Sequence, residues 1–224
     1  MDFIKQTLSQ EEWQQKEQEH RSRLEPRLDA YIAKRSRGQK DPVLDFLFEY
    51  YNFRAGSLKR WSPGFGVRIE GGDFQHISNQ RGFRVDGDAA YLDPELFPKN
   101  RHGSAKWIHT LLVNTHKNPP SWGCFGMHEW AMVYHIDKTR HPQFPLRMPM
   151  KELVEFVDSR PIVCTHFDAY RFFTPEAKPL NKHQLTRELQ MELEQPGCLH
   201  SSMDLYKWTY KLRPWIGGDL MADA

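Results

Sequence analysis

The chain lacks any unbroken apolar run of about 18 residues, the length a membrane-spanning helix needs. Its start, Met1-Asp2-Phe3-Ile4-Lys5, lacks the basic segment and apolar stretch of a secretory signal. Cysteine is scarce: 3 in 224 residues, an odd number and too few for a disulfide framework. A reducing cytoplasm is therefore the expected compartment. No C-x-x-C pair is present, which weakens a structural zinc site. Gly64-Phe65-Gly66 and Gly71-Gly72 are followed by no lysine at P-loop spacing, and no G-x-G-x-x-G opens a helix. Nucleotide hydrolysis and dinucleotide binding drop out with them. No G-x-S-x-G offers a serine nucleophile. Excess charge is also missing: 31 Lys+Arg against 29 Asp+Glu leaves +2, not the basic stripe of a protein that grips nucleic acid mainly by its phosphates.

What remains is a globular composition, 39% hydrophobic and 27% charged, with 13% aromatics supplying much of the core volume. Ser9 and Glu12 stand at capping-box spacing and open a helix whose His20, Leu24, Leu28, Tyr31 and Ile32 share one face. Lys34 to Gly38 ends it with cations and a glycine. That apolar face is narrow, so residues 1–40 are expected to be a helical arm that covers the core. Asp41-Pro42 begins a second helix, with Val43, Leu44, Leu47, Phe48 and Tyr51 inward. Strands are expected over 65–70, 82–85 and 89–92, the last two joined through Asp86-Gly87-Asp88. Helices follow from Ser104, from Met127, and over 151–158, 186–194 and 203–212, with a loop over 135–149 and a further strand over 162–167. The sum is an α+β fold, mostly helical with a small sheet, and residues 41–224 as one core domain.

Every cysteine has a histidine close behind it. Cys124 precedes His128 and Glu129; Cys164 precedes His166 and Asp168; Cys198 precedes His200 and Asp204. With 11 histidines in the chain, one of the four positions after a given cysteine is His roughly one time in five, so three from three exceeds what composition supplies. Thiolate, imidazole and carboxylate are ligands for zinc and iron. In an extended strand, Cys164, His166 and Asp168 would point to one face. His128 and Glu129 are adjacent and diverge by about 100° on a helix, so at most one of them is expected to aim at a given point. A cysteine nucleophile with a histidine base is a further possibility, though no one cysteine stands out. Buried cysteines and hydrogen-bonded core histidines are the plainer account of the same residues.

Aromatic residues gather in the same stretches: Trp122, Phe125, Trp130 and Tyr134, then Phe167, Tyr170, Phe172 and Phe173, then Tyr206, Trp208 and Tyr210. They suit either a ring-rich core or a slot that stacks a flat ligand. Segments 122–134, 164–173 and 198–207 are therefore expected to converge, since the rings need burial and the polar groups need partners.

Five of these stretches carry a resemblance: Asp45–Arg54, Leu58–Gly64, Trp122-Gly123-Cys124-Phe125-Gly126-Met127-His128-Glu129-Trp130 through Tyr134, His166–Pro175, and Glu194-Gln195-Pro196-Gly197-Cys198-Leu199-His200 through Lys207. From about residue 10 onward the chain resembles a bacterial family commonly labelled 3-methyladenine DNA glycosylase. Members of that family continue past Gly218–Asp223, which implies a chain incomplete at its C-terminus. The resemblance implies hydrolytic excision of alkylated purines from DNA, with no cofactor and with damaged DNA as the partner. Such chemistry needs a carboxylate beside an oxocarbenium-like centre and rings around an extruded base. Asp168, Glu129 and Asp204 are then the candidate catalytic acids, with Asp168 first because it follows the expected strand and shares a face with His166. Trp130, Tyr134 and Phe172 would stack, while Arg171 and Lys207 would hold phosphates. The second reading is a metal-dependent enzyme, zinc or non-haem iron, acting on a small ring-bearing substrate. Its candidate ligands are Cys164, His166, His128 and His200.

Overall fold

A computed structural model describes residues 2–139 and 145–224, with the backbone alone for Pro42, Val43, Leu44 and Phe46. The expected burial of Val43 and Leu44, and positions 140–144 of the expected loop, lie outside the described residues. In chain order the elements are β1 (Gln6–Leu8), α1 (Gln10–Ser36), α2 (Pro42–Tyr50), α3 (Ala55–Leu58), β2 (Val67–Glu70), α4 (Gln75–Ser78), β3 (Phe83–Asp86) and β4 (Ala89–Leu92). They continue with α5 (His102–Lys117), α6 (Met127–Ala131), α7 (Met150–Asp158), α8 (Phe167–Tyr170), α9 (Gln190–Leu193), α10 (Leu199–Leu212) and α11 (Gly218–Asp223). About half the residues are helical and the four strands form one small mixed sheet, so the fold is α+β. No helix among the described residues is long and apolar enough to cross a membrane. The residues pack as two compact units, Met1–Ala105 with Leu205–Ala224, and Lys106–Asp204.

The first unit holds the sheet, in the order β1-β2-β4-β3. β3 and β4 make the expected hairpin, with Gly87 at φ +62 in the turn, where a residue bearing a Cβ would be strained. β1 was not expected, because three residues leave no readable alternation. It pairs in parallel with β2, Gln6 opposite Val67. α1 opens on its capping box: Ser9 N–H donates to the Glu12 carboxylate at 2.8 Å, and Glu12 N–H turns back to Ser9 Oγ. One turn in, Trp13 is 1% exposed and packs with Leu8, Trp61, Ile69, Phe74 and Ile77. Its indole N–H donates to the carbonyls of Glu70 and Gly71 at 3.3 and 3.2 Å. Further along α1, Leu28 joins Phe48, Ala55, Leu58, Tyr206 and Met221 in a second cluster. The N-terminal segment, expected as a covering arm, thus supplies one edge strand and two core anchors. An average over a long polar helix hides single large residues, and here Trp13 and Leu28 carry the burial.

The second unit is helical and irregular. Its core gathers Met127, Ala131 and Tyr134 with Leu153 and Val157 of α7, and with Ile162, Cys164, Ala169, Tyr170 and Phe173. The strand expected over 162–167 does not form. Ile162 makes one isolated bridge to Asn181, and the chain then turns into α8, whose first turn is capped by His166. Helix is also shorter than expected at 127–134, where it ends at Ala131, and at 186–194, where only Gln190–Leu193 is helical. α10 instead begins earlier, at Leu199.

Trp13→Ala should destabilise the first unit by about 3–5 kcal/mol, the usual cost of emptying a buried indole site. Deleting residues 1–15 removes β1 and Trp13 together and should abolish its cooperative unfolding in urea. A truncated chain with an unchanged transition would show that the segment only covers the core.

Candidate functional site

Three stretches of the second unit are pinned side by side by amide side chains. Gln195, nearly buried, accepts from Ser121 N–H and Gly197 N–H, both at 2.7 Å, and donates back to Ser121 C=O at 2.9 Å. A Cβ on Gly197 would stand 2.9 Å from that carbonyl oxygen, so the approach requires glycine. Asn118 donates to the carbonyls of Glu192 and Glu194 at 2.8 and 2.7 Å. Asn181 plays the same part for Cys164, accepting from its N–H at 2.8 Å and donating to its C=O at 3.0 Å. The loop carrying Cys124 is thereby fixed against the loop that leads into α10. Phe125 and Gly126 both lie in the left-handed region, at φ +40 and +78, and this reversal brings the Cys124 side chain back over the start of α6.

Two trios of ligand-type atoms result, each with its atoms within 4.8 Å of one another: His128, Glu129 and His200, and His166, Glu194 and Asp204. In the first, His128 Nδ1 lies 2.9 Å from Cys124 Sγ and Nε2 lies 3.0 Å from a Glu129 carboxylate oxygen. The His128 and His200 rings meet edge to face, with centroids 4.5 Å apart. His200 in turn stacks on His166 at 5.3 Å. In the second trio, His166 Nε2 faces Asp204 at 3.3 Å and Glu194 at 3.4 Å, all three residues being nearly inaccessible. Gln190 donates to the same Glu194 carboxylate. On its other side, His166 Nδ1 accepts from Ala169 N–H at 3.2 Å.

These contacts set the charges. The nearby Cys164 thiol, together with the His128 ring, outweighs burial and brings Cys124 down to about 4. Burial pulls His128 down, but Cys124 and Glu129 on either side lift it to about 9. The pair is thus a thiolate and an imidazolium, and the imidazolium holds the Glu129 carboxyl below its usual range. Contact with the Cys124 sulfur and burial push Cys164 up, and burial does the same to Cys198. Burial, then the neighbouring rings of His128 and His166, lowers His200 to about 4, so its ring is neutral at neutral pH.

The structure brings together His128, Glu129, Cys164, His166, His200 and Asp204 among the sequence candidates. His128 and Glu129 converge after all, because the longer glutamate side chain curls back to the ring. Asp168 does not share a face with His166 as a strand would have it. With the strand replaced by α8, its carboxylate pairs with Arg171 at 3.1 Å and Arg187 at 3.7 Å. Arg171 is exposed and held in that pair. Tyr134 is a core residue whose hydroxyl donates to Asp158 at 2.6 Å. Trp130 packs edge to face on Phe156, and Phe172 is half-buried after α8. Lys207 belongs to the first unit, where its ammonium sits 4.1 Å from the centre of the Trp208 ring. Glu194, Gln195, Gln190 and Asn181 were not foreseen as site residues. The one available signal was their polarity in stretches dense with cysteine, histidine and aromatics. No family model, curated protein or solved structure matches the chain.

Gln195→Ala would strand the N–H groups of Ser121 and Gly197, and should cost about 2–4 kcal/mol. Chemical denaturation of the variant checks this, and a loss below about 0.5 kcal/mol would show that the clamp is not structural.

Proposed function

We propose that the protein is a metal-dependent enzyme in which His128, Glu129 and His200 hold one divalent ion, zinc or ferrous iron. The observation that carries this reading is the convergence of two imidazoles and one carboxylate within 4.8 Å. Ligand bonds of about 2.0–2.2 Å place neighbouring donor atoms about 3–3.5 Å apart, so side-chain shifts on the order of 1 Å close the trio around an ion. Two histidines and one carboxylate form the donor set of catalytic zinc sites and of non-haem iron centres with open positions. Openness fits as well, since the Glu129 side chain is 63% exposed while both histidines are buried. A histidine ligand ordinarily donates its second N–H to an anionic or carbonyl acceptor, and His128 has the Cys124 sulfur in that place.

An ion held there would polarise a substrate carbonyl or lower the pKa of a bound water. The residues on the rim speak for a ring-bearing substrate: Trp122 and Phe125, on either side of Gly123-Cys124, are 63% and 87% exposed. Metal-free base excision draws less support. It needs one accessible carboxylate beside a stacking slot, yet Asp204 is buried against His166, Asp168 is paired with arginines, and Tyr134 is committed to the core. Glu129 alone is open, and it sits beside His128.

Elemental analysis of the purified protein should find about one zinc or iron per chain. Glu129→Gln and His200→Ala should each weaken Zn2+ binding by at least about tenfold, measured by chelator competition. Protein that binds neither metal, with base release from alkylated DNA in its place, would overturn the assignment.

A further inference from the structure

We propose that the outer edge of β3 pairs antiparallel with the same edge of a second copy of this chain, about a two-fold axis through Val85.

β3 stands last in the sheet order, and among the described residues no strand pairs with its outer edge. The hairpin register fixes which backbone groups face outward. Asp93 N–H donates to Gly82 C=O at 2.9 Å, so Gly82 is hydrogen-bonded across to the β4 side, and Arg84 and Asp86 follow it at two-residue steps. These residues turn their N–H and C=O groups towards β4. Phe83 and Val85 turn theirs away from the sheet. The side chains match an uncovered edge. Val85 is 54% exposed, although its neighbours in register on the core face, Ala90 and Ile69, are inaccessible. Arg84 and Asp86 lie on the opposite face, with side chains 47% and 58% exposed.

Charges on an exposed edge commonly turn a second strand away. Here they select one arrangement. With Val85 opposite the copy's Val85, the two residues exchange both backbone hydrogen bonds, and Arg84 falls opposite Asp86 on each side of the axis. The register that sets Phe83 opposite Val85 puts Arg84 against Arg84. The register that sets Val85 opposite Gly87 puts Asp86 against Asp86. Opposite charges directly across a strand pair attract and like charges repel, so the register centred on Val85 is the favoured one. Arg84 also meets Asp93 and Glu95 in its own chain, and Asp86 meets Arg68 at 3.6 Å. Both side chains stay about half exposed in those pairs, and a guanidinium has five N–H groups to share. The same axis brings the two exposed valines side by side and joins two sheets into one. A strand pair of this length buries less than the roughly 1,600 Å² of a standard interface, so the dimer is reversible and fills at high concentration.

Sedimentation equilibrium of the full chain, from about 1 µM to about 1 mM, should show a monomer–dimer equilibrium. Arg84→Asp and Asp86→Arg should each weaken it about tenfold, because two attractive pairs become two repulsive ones. Mixing these two variants should restore association to about the parent's strength, since every reversed charge then faces its opposite. Val85→Pro deletes an outward N–H and no bond to β4, and should abolish the dimer. Val85→Lys, which keeps the N–H but sets two ammonium groups together, should do the same. Amide exchange at Val85 should slow as concentration rises, while exchange at Arg84, already bonded to β4, should not change. A parent chain that stays monomeric to about 1 mM would overturn the proposal. So would a dimer that survives Val85→Lys, or a mixture of the two charge variants that associates no better than either alone.

Discussion

The second unit is organised around a single ring held at both nitrogens. His128 has the Cys124 sulfur at Nδ1 and the Glu129 carboxylate at Nε2, so it can neither rotate nor flip without losing a charged contact. The sulfur is in place because Phe125 and Gly126 reverse the chain through left-handed backbone immediately before α6. The neighbouring rings are registered from this one, His200 edge to face against it and His166 stacked on His200. Charge pairing also makes the arrangement costly to dismantle. Removing one member of a half-buried ion pair leaves the other without compensation, a loss larger than what the intact pair contributes.

The two trios differ in what they can hold, and the deciding factor is the far nitrogen of each histidine. His128 presents Nε2 to its trio while Nδ1 meets an anion, which suits a ligand that donates away from the metal. His166 also presents Nε2, but its Nδ1 accepts from Ala169 N–H and so has no proton of its own. The ring must then carry its proton on Nε2, between Asp204 and Glu194. A cation at that point would have to displace the proton or break the helix cap. The inner trio is therefore held from both sides of the His166 ring. His200 and Asp204 stand one turn apart on α10, so fixing the carboxylate fixes the imidazole as well.

What could be read from the sequence depended on the range of the interactions. The Ser9–Glu12 box, Pro42 at the first turn of α2 and the Gly87 hairpin are local, and each formed where its spacing placed it. The stretch 162–167 has strong strand propensity and failed as a strand, because Asn181 takes both backbone groups of Cys164 and His166 finds a helix amide to cap. Side chains from elsewhere supplied the pairing that a neighbouring strand would have given. The recurrence of histidine behind each cysteine did point to the site, and it named all three imidazoles. The shared face expected for Asp168 and His166 depended on a strand where α8 stands instead, while Glu194 lay outside the expected groups. A helical wheel also separated His128 from Glu129, which describes where Cβ atoms point but not where a flexible carboxylate ends.

The division of the chain bears on where chemistry belongs. The first unit buries polar groups too, but its prominent histidine is spent on structure: His20 has the carbonyl oxygens of Gly218 and Leu58 on its two nitrogens, at 3.0 and 2.8 Å. A ring so occupied ties α1 to α3 and α11 and is not available to a substrate or an ion. In the second unit His128, His166 and His200 lie ring against ring and beside acids, and both groups of potential ligands among the described residues lie there. Burial first, and then repulsion from the neighbouring rings of His128 and His166, drives His200 neutral. A core built only for stability would gain by replacing such a set with apolar side chains of the same volume. The set is buried all the same, and the amide side chains of Gln195 and Asn181 hold the surrounding backbone in register.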